Sequence, residues 1–120
     1  MADTDAAGVV YHANYLRFAE QARTEMANEL GFPNHVLMQE HNCLFIIRHA
    51  KLDYHKPARC GDELIINTVP KSIDGVKLLV KQQIWSNNKH LTDLDILLIC
   101  VNLELRPLRV PKFIKNRLRL

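Results

Sequence analysis

From Tyr15 onward the apolar residues fall at Tyr15, Phe18, Ala19, Ala22, Met26 and Leu30, a spacing that gathers them on one face of an amphipathic helix. Asn14 is the expected N-cap, and Gly31 with Pro33 supplies the stop. The period then changes. Phe32 to Asn42 reads as a connection, with Val36, Leu37 and Met38 in a short helical turn. Cys43 to Tyr54 has the length and β-branched content of a strand, with Leu44, Ile46, Ala50, Leu52 and Tyr54 on one parity and Arg48 interrupting it. Pro57 to Asp62 is turn chemistry, and Glu63 to Val69 resumes the alternation. Asp74-Gly75 is the strongest hairpin signal, joining a strand that ends near Ile73 to Val76–Trp85, and Ser86-Asn87-Asn88-Lys89 makes a further turn before Leu91–Leu103. A helix followed by a meander of about four antiparallel strands is an α+β order in which the sheet has to cover the helix.

Composition narrows the class. The 120 residues, 48% of them hydrophobic, suffice for one domain spanning 1–120 with a core that needs no disulfide or metal. Net charge is 16 − 13 = +3, too small to argue for nucleic acid, and no helix-turn-helix pattern or interleaved aromatics support that partner. Cys43, Cys60 and Cys100 are an odd, widely spaced set without C-x-x-C or paired histidines at zinc spacing, so no metal is expected and a reducing, cytoplasmic compartment is. No apolar run is long enough for a transmembrane segment, and no secretory leader is visible.

The chemistry concentrates ahead of the helix, in Asp3-Thr4-Asp5-Ala6-Ala7-Gly8-Val9-Val10-Tyr11-His12-Ala13-Asn14-Tyr15. A helix start gathers unpaired N–H groups and the positive end of the dipole, which suits an oxygen that becomes negative during a reaction. A carboxylate a few residues upstream can supply a nucleophile or a base. The alternative is that Asp3 and Asp5 are solvated loop acids favouring the dipole. Arg48 is either an edge residue in solvent or a cation meeting a phosphate or carboxylate at a subunit boundary. The tail from Arg106 carries six of the sixteen basic residues in its last fifteen positions. It reads as a terminal helix begun by Pro111 with Phe113, Ile114 and Leu118 docked on the body, or as a surface for phosphates, an acidic protein or an anionic surface.

The stretch D-T-D-A-A-G-V-V-Y-H-A-N-Y, followed by F-A-E-Q-A-R-T-E-M, resembles the signature of hotdog-fold acyl-CoA thioesterases of the 4-hydroxybenzoyl-CoA thioesterase type, and most closely their Tol–Pal-associated bacterial branch. The likeness continues through Phe45-Ile46-Ile47-Arg48, Tyr54-His55-Lys56-Pro57-Ala58-Arg59 with Asp62, and Ile99-Cys100-Val101. It implies a hotdog fold, a long central helix wrapped by a curved antiparallel sheet. It also implies hydrolysis of acyl-coenzyme A to free acid and coenzyme A without a cofactor, with Asp5 as nucleophile or general base. The polarising amide falls at His12, whose side chain matches a histidine typical of that branch and would orient water or protonate the thiolate. Gly8, Val10, Tyr11, Tyr15 and Arg48 complete the expected substrate-contacting set, Gly8 for steric reasons. Expected partners are acyl-coenzyme A, further copies of the chain in a dimer or homotetramer, and acyl carrier protein. Members normally carry a first β-strand before D-x-D. Here Met1 stands just before that motif, which implies either a late start or a sheet short of one strand, with an exposed neighbouring edge. The competing function is a non-catalytic acyl-CoA or carrier-protein binding module on the same fold.

Overall fold

The computed structural model describes residues 8–58 and 61–120, with side chains from Asn14 onward. Its elements are α1 (Gly8–Glu29), α2 (Asn34–His41), β1 (Cys43–Tyr54), β2 (Ile65–Asp74), β3 (Lys77–Ser86), β4 (Lys89–Asn102) and α3 (Lys112–Leu118). The four strands form one antiparallel sheet in the order β1-β4-β3-β2. Tyr15 and Ala19 of α1 are buried in one core with Leu78, Val80 and Ile84 of β3 and Leu94, Ile96 and Cys100 of β4. A long helix held against one face of a curved antiparallel sheet is the hotdog arrangement.

The helix starts earlier than its N-cap signal. α1 begins at Gly8, so Asn14 lies inside it, because nothing from Val9 to Ala13 breaks a helix and Tyr11 continues the apolar spacing back from Tyr15. Its far end is as expected. Gly31 takes φ +84°, with Phe32 N–H donating to the Ala27 carbonyl at 2.9 Å and Gly31 N–H to that of Asn28 at 3.2 Å, a Schellman closure. Arg117 of α3 adds a cation there, donating to the Leu30 and Gly31 carbonyls at 3.1 and 3.0 Å. A Cβ on Gly31 would lie 2.8 Å from that guanidinium. Gly31→Ala, with strained backbone and a displaced cap, is therefore expected to cost more than about 1 kcal/mol in chemical denaturation. An unchanged midpoint would show that the cap is not stabilising.

β1 departs from simple alternation. Its register against β4 shifts between Ile47 and His49, leaving Arg48 as the extra residue of a bulge. The face towards the helix consequently carries Phe45 and Ile47 before the bulge and Ala50 and Leu52 after it, opposite Cys100, Leu98, Ile96 and Leu94. The single parity expected from Leu44, Ile46 and Ala50 fails because the bulge turns one half of the strand over. Both hairpins form where expected, with Gly75 at φ +62° and Asn87 and Asn88 at φ +50° and +62°. In the tail, α3 follows Pro111 and buries Ile114 and Leu118, while Phe113 stacks on His41 at 4.1 Å. The packed terminal helix is thus the reading that the structure bears out.

Candidate active site

The expected site residues divide between described and undescribed parts of the chain. Asp5 lies outside the described residues. Gly8, Val10, Tyr11 and His12 occupy the opening turns of α1, the end at which a helix leaves its first amides without an intrahelical acceptor. Tyr15 is buried, and its ring lies 5.7 Å from that of Tyr54 at the end of β1. The fold thereby brings the helix entrance and the Tyr54-His55-Lys56-Pro57 segment to one end of the sheet.

Arg48 is not at that end. It is exposed, and six residues of strand separate it from Tyr54, about 20 Å at the usual rise. Two hydroxyls that sequence reasoning passed over lie nearer the helix entrance. Thr92, the strand partner of Tyr54, and Ser86 are buried without a hydrogen-bond partner among the described residues. Their only sequence signal is a small polar residue at the end of an otherwise apolar inner face.

Further along the helix a cleft of about 380 Å³ opens between α1, the start of α2 and β1. Met26, Phe32, Leu37, Phe45, Ile47 and Leu98 make its walls apolar, and Glu20 and Arg23 stand among its lining. Arg23 donates to Gln82 Oε1 at 2.7 Å, and Gln82, 1% exposed, donates in turn to the Ala19 carbonyl at 2.9 Å and Thr68 Oγ1 at 3.0 Å. Burial pushes the Arg23 guanidinium below its ordinary range, and the Glu20 carboxylate acts against that shift. Gln82 was detectable as a polar residue in the middle of the Leu78, Val80, Ile84 parity.

The two described thiols, Cys43 and Cys100, make poor nucleophiles. Burial raises Cys43, and burial with the adjacent Cys43 pushes Cys100 up to about 12, so neither is a thiolate at neutral pH. On the sheet's outer face, away from the helix, His55, His90 and Asp93 converge, their ligand-type atoms all within 4.8 Å of one another. Among the described residues this is the group with the donors to hold a metal ion. No metal was expected from the sequence, because strand pairing and not local spacing assembles these three.

Residues 1–118 match the profile of the thioesterase-like superfamily. The chain is 41% identical over 114 residues to the acyl-CoA thioester hydrolase YbgC of Escherichia coli O6:H1, an alignment covering 93% of this chain and 84% of that protein. It is 36% identical over 114 residues to the acyl-CoA thioesterase YbgC of Haemophilus influenzae, covering 94% and 84%. Among solved structures, a probable thioesterase from Bartonella henselae superposes with a TM-score of 0.81 at 32% identity over 92% of each chain. A 1,4-dihydroxy-2-naphthoyl-CoA thioesterase from Synechocystis superposes at 0.83 and 22% identity over 99% of this chain and 89% of its own, a likeness of fold alone.

Proposed function

This chain belongs to the thioesterase-like superfamily, and from that premise we propose that it hydrolyses acyl-coenzyme A thioesters to the free acid and coenzyme A, with Asp5 as the catalytic carboxylate. The observation that carries the reading is the near full-length similarity to an acyl-CoA thioesterase and an acyl-CoA thioester hydrolase, together with a family profile that reaches back to residue 1 and so spans the D-x-D motif in sequence. The first-turn amides of α1 are the natural place for the carbonyl oxygen, since they are unpaired and sit at the positive end of the dipole. As a base, Asp5 takes a proton from water while the water oxygen bonds to the acyl carbon and the C–S bond breaks. As a nucleophile, it forms the mixed anhydride itself and water opens that anhydride afterwards. In either case the coenzyme A thiolate leaves and picks up a proton, which in this reading His12 supplies. Release of free thiol from a series of acyl-coenzyme A chain lengths tests the reading. Saturable binding of acyl-coenzyme A without thiol release would instead identify a binding module.

The working unit in this reading is a homo-oligomer built on dimers. Both edge strands of the described sheet offer apolar side chains, Ile46, Ile47 and Tyr54 on β1 and Ile65 and Val69 on β2. In this reading Arg48, about 20 Å along β1 from Tyr54, meets the substrate across a subunit boundary. Sedimentation at micromolar concentration is expected to show a dimer or tetramer, and a monomer would remove that role for Arg48.

A further inference from the structure

We propose that His55, His90 and Asp93 form a binding site for a divalent transition ion of the zinc class, on the face of the sheet opposite the helix.

Three observations carry it. The first is convergence. Asp93 lies between two imidazoles, with His55 Nε2 at 2.8 Å from Oδ2 and His90 Nε2 at 2.8 Å from Oδ1. His55 and Asp93 are 38 positions apart, so adjacent strands, not a local loop, set this geometry. The second is preorganisation. His90 stacks on Trp85 with centroids 4.7 Å apart and planes 12° from parallel, and the His55 ring lies 4.8 Å from that of His90. His55 is held from its backbone as well, its N–H donating to the Leu91 carbonyl at 2.7 Å. Ligand rings fixed in this way lose little freedom when an ion arrives.

The third is charge. On the same outer face, Asp95 stands opposite Lys51 on one side and Lys81 on the other, with the Lys81 ammonium 3.6 Å away. That row is balanced. One step along, Asp93 stands opposite Asp53 and Gln83, two carboxylates with no lysine or arginine between them. Like charges directly opposed across an antiparallel pair are destabilising. A divalent ion at Asp93 would offset them where the neighbouring row uses lysines.

Two imidazole nitrogens and one carboxylate oxygen select zinc, cobalt or nickel over calcium and magnesium, which need more oxygen ligands. The three atoms have to draw in slightly, since zinc bonds at about 2.0–2.2 Å. An ion at Nε2 would require each ring to hold its proton on Nδ1, in exchange for the hydrogen bond that Nε2 gives to Asp93 without the ion. The histidine side chains are about a third exposed, 37% and 29%, and Asp93 41%, which leaves water the remaining coordination positions.

The test is titration of the full chain, freed of metal by chelation, with zinc chloride followed by calorimetry and with cobalt chloride followed by its visible spectrum. One ion per chain at micromolar affinity is expected, with a cobalt spectrum free of thiolate charge transfer. His55→Gln, His90→Gln and Asp93→Asn should each weaken binding by about tenfold or more, since losing a ligand costs at least what losing an outer partner does. His49→Gln should leave it unchanged. Absence of saturable binding, a thiolate band, or undiminished binding by the three variants would overturn the site. Should a variant fail to fold, wild type alone decides, because bound zinc has to protect His55 and His90 from diethyl pyrocarbonate. Equal modification with and without zinc would equally overturn it.

Discussion

Asp5→Asn is expected to lower kcat for acyl-coenzyme A hydrolysis by about 10²–10⁴-fold while leaving thermal unfolding nearly unchanged. The amide keeps the size of the carboxylate but loses its basicity and its nucleophilicity, so the reaction is struck and packing is not. KM should move little, because binding the nucleotide and pantetheine does not call on this group. Retention of more than about a tenth of wild-type turnover would place the chemistry elsewhere, given that range. A single turnover in isotopically labelled water separates the two mechanisms. A nucleophilic Asp5 acquires the heavy oxygen in its own side chain, whereas a general base sends it only to the released acid.

The second large effect is on stability. Gln82→Leu is expected to cost about 2–3 kcal/mol in chemical denaturation, the usual loss when a largely desolvated charged donor is left without its acceptor. Arg23 cannot escape by shedding its proton, since a guanidinium stays charged. Its acceptor is Gln82, and the same amide links the Ala19 carbonyl of α1 to Thr68 of β2. Adding Arg23→Met to Gln82→Leu should recover most of the loss, because removing both members of a buried polar pair is often close to neutral. Equal losses in the single and double variants would show that the guanidinium never depended on the glutamine.

These features differ in how openly the sequence displays them. Helix termination at Gly31 and both hairpins are written locally, in residues whose backbone preferences act wherever they stand, and the structure has them as expected. The start of α1 was misplaced because a capping residue is permissive, and Asn14 does not force a boundary where the residues before it also favour a helix. Arg48 was visible as an anomaly but not as a bulge. One charged residue on an apolar parity and one extra residue in a strand look alike until the partner strand counts against them. The histidine pair is legible only once β1 and β4 are aligned, because its meaning lies in what stands across the sheet. Of the stretch proposed to be catalytic, the motif was legible from residue types, while Asp5 falls outside the described residues.

The strand order β1-β4-β3-β2 sets a timetable for synthesis. A ribosome delivers β1 first, yet among the described strands it bonds only to β4, the last to emerge. The β2–β3 hairpin closes through neighbours in the chain and can form at once. β1 has to wait, its Phe45 and Leu52 without the core they pack against, until residue 102 is clear of the exit tunnel. Long-range pairing of that kind is slow and exposes strands to association. Crowding of nascent chains on one message therefore acts on β1 above all, and slowing translation after Asn102 would not shorten its wait, whereas speeding translation between Tyr54 and Lys89 would.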